Sequence, residues 1–90
     1  MKTFVQIGFG NFVSVEKITG LYSIDTKPVK DKISKGKELG IVTDLTRDKK
    51  TKTLIILNDG TLVLSAISAA TLMKRINDDN KNIDDDDFEY

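Results

Sequence analysis

The chain has 90 residues and contains neither cysteine nor histidine. The lack of cysteine excludes disulfides and thiolate sites, and the lack of histidine removes the commonest general base and metal ligand, so we expect a non-enzyme without cofactor or metal. Residues 1–77 carry 13 Lys and Arg against 7 Asp and Glu, whereas residues 78–90 carry 7 acidic residues and one lysine. A basic body of this kind predicts a polyanionic partner.

The chain is expected to form one small domain over residues 1–77, followed by a disordered acidic tail over residues 78–90. The tail would compete for the basic surface or merely keep the chain soluble. No apolar run approaches the ~18 residues that a membrane-spanning helix needs, and the N-terminal run is too short for a signal peptide. These features predict an intracellular protein without a membrane partner or a small-molecule substrate.

The first part of the domain is predicted to contain a β-hairpin and a further strand. Residues 4–7 are mostly apolar, residues 8–11 combine two glycines with an asparagine as turns do, and residues 12–15 read as the return strand. We expect Phe9 and Phe12 to be buried, although exposed rings there would offer stacking platforms for single-stranded RNA. Residues 18–24 form the next β-prone segment.

A helix is predicted from Lys27 to Gly40. Pro28 suits a first helical position, Thr26 or Asp25 can cap the start, and Gly40 lies where a left-handed cap is expected. Glycine inside a helix suggests a close approach of another backbone at Gly36. The narrow apolar stripe is expected to contain Val29, Ile33, either Gly36 or Lys37, and Leu39, and the lysines on the remaining surface are typical of a solvated face.

The second part of the domain is predicted to be a strand, a hairpin and a short helix. Residues 41–46 form the strand, and residues 53–57 are apolar on both faces, which is typical of a central, covered strand. Residues 58–60, Asn-Asp-Gly, predict a hairpin turn into residues 61–65. Ser68 is expected to cap a helix that carries Leu72, Met73 and Ile76 on one side. The fold class is therefore α+β, with a small, mainly antiparallel sheet and two helices.

The segment between the two predicted strands carries four cations within six residues: Arg47, Lys49, Lys50 and Lys52. A sheet would hold this loop in solvent, where a row of cations can follow a phosphate backbone. If the two strands extend as a ribbon, Lys50 and Lys52 point one way and Lys49 the other. The alternative is a solvated edge hairpin whose lysines only protect against aggregation.

Several segments in order resemble the RemA-like family of bacterial extracellular-matrix (biofilm) regulators, also known as a domain of unknown function. The resemblance covers roughly residues 4–76 and rests on residues 7–14, Pro28 with Lys30, Gly40, and residues 41–46, 54–57 and 63–67. It implies a cytoplasmic transcriptional regulator that forms a homo-oligomeric ring and binds double-stranded DNA.

The resemblance also implies which residues contact DNA. Lys17 occupies the position of an arginine after the first hairpin, Lys49 and Lys50 occupy paired arginine positions, and Lys52 a further basic one. Arg47 and Asp48 stand where the family carries an aromatic residue and a glycine. Lysine keeps the positive charge, but it lacks the planar guanidinium with which arginine donates two parallel hydrogen bonds to phosphate or guanine. We therefore expect weak recognition of specific bases. A ring that serves as a structural or protein-interaction module, with little or no DNA binding, is the alternative.

Overall fold

The computed structural model describes residues 4–77, so the predicted tail over residues 78–90 lies outside it. Six strands and two helices follow one another, with a short 3-10 turn at Val15–Lys17 between the second and third strands. The elements are β1 (Phe4–Gly8), β2 (Asn11–Ser14), β3 (Ile18–Ser23), α1 (Lys27–Leu39), β4 (Val42–Asp44), β5 (Thr53–Leu57), β6 (Leu62–Ser65) and α2 (Ala69–Asn77).

The strands form two sheets. β1 and β2 make an antiparallel hairpin, and the other four strands lie in the order β3-β5-β6-β4. Only β4 and β6 pair in parallel, so the α+β class with mainly antiparallel strands and two helices is confirmed. β5 lies inside the larger sheet, as its doubly apolar pattern predicts, and the turn at residues 58–60 joins it to β6.

The larger sheet is the middle of three layers, because the side chains of β5 and β6 alternate between two apolar clusters. Leu54, Leu62 and Leu64 pack with Ile33 of α1 on one face. On the other face Ile55 and Val63 pack against the β1–β2 hairpin and α2, through Val5, Ile7 and Leu72. The two faces together explain why β5 has almost no polar position.

Buried hydroxyl groups fasten the hairpin to the end of the larger sheet. The Ser65 Oγ donates a hydrogen bond to the Ile7 carbonyl at 2.9 Å and accepts one from the Ile67 amide at 3.0 Å. The Thr53 Oγ1 donates to the Ile67 carbonyl at 2.7 Å. Loss of either hydroxyl would remove a hydrogen bond from a buried carbonyl, and the Ser65 bond ties the end of β1 to β6.

α1 has the predicted bounds but departs from prediction at three residues. Thr26 is the N-cap residue without a side-chain capping bond, and Gly40 ends the helix with a φ of 75°. Leu39 is 63% exposed, so its predicted place in the apolar stripe is wrong. The close neighbours of Gly36 are the side chains of Leu62 and Val42, whereas the sequence suggested another backbone.

α2 lies across the hairpin. The Ser68 Oγ accepts a hydrogen bond from the Thr71 amide at 3.2 Å, which confirms the predicted cap. Leu72 is fully buried, whereas Met73 is 43% exposed, because the helix buries only a narrow stripe. Near the end of the helix the Arg75 Nη1 donates to the Gln6 carbonyl at 2.9 Å, which ties α2 to β1.

Candidate nucleic-acid interface

The predicted binding loop lies at one end of the larger sheet, where β5 begins opposite the last residue of β6. The Lys52 amide donates to the Ser65 carbonyl at 2.9 Å, and the Lys52 carbonyl accepts from the Ile24 amide at 3.1 Å. Lys52 is thus fixed between β3 and β6 by its backbone, and its side chain is exposed. We call this end of the sheet, with the loop residues Arg47, Lys49, Lys50 and Lys52, the basic end.

The loop is a crossover and does not form a hairpin. β4 pairs with β6 and not with β5, so the chain between β4 and β5 passes the end of β6. The hypothesis of a ribbon or edge hairpin, with Lys50 and Lys52 on one side of it, is therefore wrong. Its physical reason is that β6 occupies the place beside β5 that β4 would need.

A reverse turn fixes the shape of the loop. The Lys49 amide donates to the Thr46 carbonyl at 3.0 Å, and the two residues between them, Arg47 and Asp48, have φ angles of 52° and 72°. Two successive positive φ angles are characteristic of a type I′ turn. Thr46 itself is buried. The turn therefore projects the following lysines from a defined base.

The carboxylate of Asp44 holds the start of this turn. Its Oδ1 accepts hydrogen bonds from the Thr46 hydroxyl at 2.6 Å and from the Thr46 amide at 3.0 Å. These bonds lower the pKa of Asp44 below its ordinary value of 3.8, and the charge of Lys37 acts in the same direction. Because both bonds favour the ionised carboxylate, the turn keeps its support at neutral pH.

Arg47 joins the loop to the first hairpin. Its guanidinium carbon lies 5.2 Å from the centre of the Phe9 ring, within the range of a cation–π contact. Phe9 is half-buried and has a φ of 54° in the turn between β1 and β2. The sequence offered no signal for this pairing, because the partners lie far apart in the chain and their contact depends on how the hairpin docks.

Lys49, Lys50 and Lys52 are all exposed, and none of the three forms an ion pair with another residue of the part described, 4–77. Their ammonium groups are therefore available to an external anion. Asp48 within the turn, together with Asp25 and Asp44 nearby, lowers the net positive charge of the basic end. The arrangement suits several spaced anionic groups, such as the phosphates of a nucleic acid, better than a single small anion.

The structure does not bring Lys17 together with the loop. The Lys17 carbonyl accepts a hydrogen bond from the Asn58 amide at 2.8 Å, next to the β5–β6 turn. This turn is at the opposite end of β5, a strand of five residues, so about 17 Å of extended chain separates Lys17 from Lys52. Within one chain, four of the five predicted contact residues therefore lie together, and Lys17 lies apart from them.

Both helices begin at the basic end, a feature that sequence reasoning missed. α1 starts three residues after the Ile24 amide that bonds to Lys52, and α2 starts four residues after Ser65. Neither helix has an acidic residue in its first turn, and α1 has Lys27 and Lys30 there. The positive ends of two helix dipoles therefore add to the field of the loop cations. The Lys27 Nζ lies 3.4 Å from the Asp31 Oδ1 and forms an ion pair with it.

The described elements, from β1 to the last turn of α2, correspond to a known family. A family model described as extracellular matrix regulatory protein A-like matches residues 4–76. The chain belongs to the RemA-like family. Within this RemA-like domain, the opening motif and the Leu-Ser-Ala segment are in direct contact, because Ser65 bonds to Ile7.

Relatives of this RemA-like chain carry a name that states only a general role. A protein of Carboxydothermus hydrogenoformans named "Putative regulatory protein" is 35% identical over 74 residues, which is 82% of this chain and 85% of the relative. A protein of Natranaerobius thermophilus with the same name is 30% identical over 82 residues, 91% of this chain and 92% of the relative.

Among residues 4–77, neither helix is long and apolar enough to cross a membrane.

Proposed function

We propose that this RemA-like protein is a cytoplasmic, non-enzymatic DNA-binding transcriptional regulator of the biofilm-matrix type, and that it acts as a homo-oligomeric ring. One observation carries the proposal: Arg47, Lys49, Lys50 and Lys52 lie together at the basic end, beside the starts of both helices. Lysine and arginine side chains donate hydrogen bonds to phosphate oxygens, and duplex DNA presents these oxygens at regular intervals along its backbone. The name of the relatives supports a regulatory role.

A ring explains how so few cations hold a duplex. One subunit offers about four phosphate contacts, and so few contacts give only weak binding to DNA at physiological salt. Copies arranged side by side engage one duplex together, and avidity of this kind raises affinity by about 10²–10⁴ without new contacts. In a ring, Lys17 of one subunit and the loop of another can also line one path, although they lie far apart within a chain.

The decisive experiment compares duplex binding by the full chain and by the Lys49→Ala/Lys50→Ala variant at low salt. The variant is expected to bind at least tenfold more weakly, and its plot of log affinity against log salt to become shallower by about 0.9 for each phosphate that is no longer bound. Both side chains are exposed, so the fold is expected to be unchanged.

The matched control is Lys32→Ala/Lys35→Ala, which removes the same charge from exposed positions of α1. Only a small, non-specific decrease in affinity is expected there. Equal decreases in the two variants, or unchanged binding in the first, would contradict the assignment of the loop as the DNA contact.

A structural or protein-interaction ring is the second candidate, and one observation favours it. Phe4 and Phe12 are each 59% exposed on the outer face of the β1–β2 hairpin, so the predicted burial of Phe12 is wrong for a single chain. Exposed aromatic side chains are typical of protein interfaces. An oligomer in light scattering that shifts no duplex at low salt, in any variant, would favour this candidate over DNA binding.

A further inference from the structure

An open groove of about 420 Å³ lies between α2 and β3, the outer strand of the larger sheet. Within residues 4–77 no charged side chain lines it, and Ala69 and Ala70 leave space on the helix side. Its larger lining residues are Val15, Ile18, Leu21, Met73 and Ile76. A concave apolar surface of this volume has room for a few apolar side chains of a partner.

Two phenylalanines form an exposed aromatic patch on the hairpin. Phe4 and Phe12 are each 59% exposed. Phe4 pairs with Ser14 and Phe12 pairs with Gln6, so the two rings are diagonal neighbours on the outer face and can be covered together. The paired residues beside them are uncharged. An uncharged surface with aromatic side chains is typical of the centre of a protein interface.

The groove and the aromatic patch lie on different sides of α2. The helix contacts both β1 and β3, so it lies between the hairpin and the outer strand of the larger sheet. The groove is on the β3 side of the helix, whereas the patch faces away from the core that Val5 and Ile7 form beneath the hairpin. The patch of a chain therefore cannot fill the groove of the same chain, but a second copy can bring the two together.

The exposed area of the patch is consistent with a contact between copies. A phenylalanine buries about 150–250 Å² when it is fully covered, so two rings that are 59% exposed have about 180–300 Å² left to bury. A stable interface buries about 800 Å² on each partner. The two rings would thus supply roughly a quarter to a third of one side, as anchor residues at the centre of an interface do.

We propose that the aromatic patch of one copy packs into the α2–β3 groove of the next copy. The contact joins two different surfaces, so each subunit uses its patch toward one neighbour and its groove toward the other. A contact of this kind produces a ring when the rotation between neighbours closes. The proposal rests on the proposed function, because it supplies the subunit contact of the ring.

The basic end stays accessible in such an assembly. None of its four cations lines the groove, and the Arg47 guanidinium contacts Phe9, which is not part of the patch. Rotational symmetry gives every subunit the same orientation toward the ring axis, so the basic ends of all subunits lie at equivalent positions. Several of them can then face one duplex.

Two variants interrupt opposite halves of the contact. Phe12→Glu places a carboxylate in the patch and Ala70→Glu places one in the groove, both at exposed positions. Glutamate in the first turn of α2 is favourable to the helix dipole, so the groove variant is expected to fold. We expect each variant to have the single-chain mass of 10.0 kDa in light scattering, at concentrations where the unaltered chain gives a larger mass.

Two further variants exclude trivial effects of charge and folding. Ser34→Glu adds the same charge at an exposed position of α1, outside both surfaces, and is expected to keep the larger mass. Phe4→Thr/Phe12→Thr removes the rings without adding charge, and threonine is well accepted in strands. We expect it to be a single chain with an unchanged circular dichroism spectrum. A single-chain mass for the unaltered protein, or the larger mass in both glutamate variants, would overturn the proposal.

An equal mixture of Phe12→Glu and Ala70→Glu is decisive. The first variant keeps an intact groove and the second keeps an intact patch, so one contact can form between them and no further subunit can join. We expect a species of twice the 10.0 kDa chain mass and nothing larger. If patch packs on patch, Ala70→Glu alone stays assembled, and if groove packs on groove, Phe12→Glu alone does. Either result would reject the proposed contact.

DNA binding separates this contact from the proposed function. If the masses are as expected but the assembled chain shifts no duplex at low salt, the proposed function fails and the contact stands. If both glutamate variants stay assembled while Lys49→Ala/Lys50→Ala weakens binding, the contact fails and the function stands. If both hold, Phe12→Glu is expected to bind a duplex at least tenfold more weakly, because avidity is lost, and Ser34→Glu distinctly less so. Equal losses in these two variants would overturn the role of the contact in DNA binding.

Discussion

Arg47 and Asp48 adopt φ angles of 52° and 72°, in the left-handed region that most side chains avoid. Together they direct the loop lysines away from the buried Thr46. Asp48 stands where the resemblance to the RemA-like family implies a glycine, and glycine is the residue that takes this conformation at least cost. The substitution therefore introduces local strain and a negative charge at the same point.

Replacement of Asp48 by glycine is expected to stabilise the fold by about 1 kcal/mol or less. It relieves a left-handed backbone conformation that costs about 1–2 kcal/mol, and the greater chain entropy of glycine in the unfolded state offsets about 0.4–1 kcal/mol of that gain. Urea denaturation measures the change. The same variant should bind a duplex more tightly at low salt, since a negative charge leaves the basic end.

Asp48→Asn separates these two effects, because asparagine removes the charge but keeps a side chain at a positive φ. Its DNA affinity should match that of the glycine variant, and its stability should stay near that of the wild type. A glycine variant no more stable than the asparagine variant would show that the turn is unstrained.

Asp44 gives the fold a specific sensitivity to acid. Its hydrogen bonds to Thr46 lower its pKa in the folded state below 3.8, so its stabilising contribution is complete above that pH and disappears as the pH falls through the folded value. Asp44→Asn keeps an oxygen acceptor for Thr46 but does not titrate. We expect the free energy of unfolding to fall less steeply below about pH 4 in this variant, as urea titrations at several pH values would reveal.

α1 depends on a glycine at its contact with the sheet. A Cβ at Gly36 would lie 2.5 Å from the Leu62 Cδ1 and 3.0 Å from the Val42 Cγ2. Leu62 is buried and Val42 is β-branched, so neither side chain can move freely. This contact explains why a residue that disfavours helices lies in the middle of one.

Gly36→Ala is therefore expected to destabilise the domain by about 1 kcal/mol or more, although alanine favours the helix by about that amount. Ser34→Ala, at an exposed position of the same helix, is the control and should change stability little. Thermal unfolding followed by circular dichroism compares the two. A gain in stability at Gly36 would mean that the packed side chains adjust without cost.

The boundaries of the elements that have local sequence signals were predicted to within about two residues. The glycine-rich turn after β1, Asn-Asp-Gly after β5, Pro28 and Gly40 each determine structure through their immediate neighbours. The partner of β4 was not predictable in this way. Its pairing with β6 is set by which strand covers the end of the core, and the residues next to β4 contain no signal for that choice.

Side-chain exposure was predicted less well than the elements themselves. Leu39 and Phe12 are apolar residues at positions that their helix and strand turn toward solvent. Hydrophobicity shows that a side chain prefers burial, but only the packed layers, or a further copy of the chain, determine whether a surface is available to cover it.

At the scale of the whole molecule, the cations of the loop were identifiable from composition, and their surroundings were not. The cation–π contact of Arg47, the common location of both helix starts and the distance of Lys17 all follow from the way three layers are stacked. These features connect residues far apart in sequence. A single sequence therefore predicts a site's charges better than its shape.

Assembly is expected to govern DNA affinity. Four phosphate contacts on one subunit give a log–log salt slope of about −3.6, so a steeper slope requires several subunits on one duplex. We expect a steeper slope at protein concentrations where light scattering reports multiples of the 10.0 kDa chain. A steep slope from a protein of single-chain mass, or tight binding that survives dilution to single chains, would contradict the avidity argument.

The parallel course of the two helices has a kinetic consequence. Both carry their amino ends to the side where the loop cations lie, so the positive ends of two helix dipoles add to the charge of that side, while Lys37, Lys74 and Arg75 lie in the last turns at the other side. A particle with such an asymmetric field experiences a torque as it diffuses toward a polyanion, before any contact forms. Encounters would then be pre-oriented, and association with DNA would slow markedly as added electrolyte shortens the reach of that field.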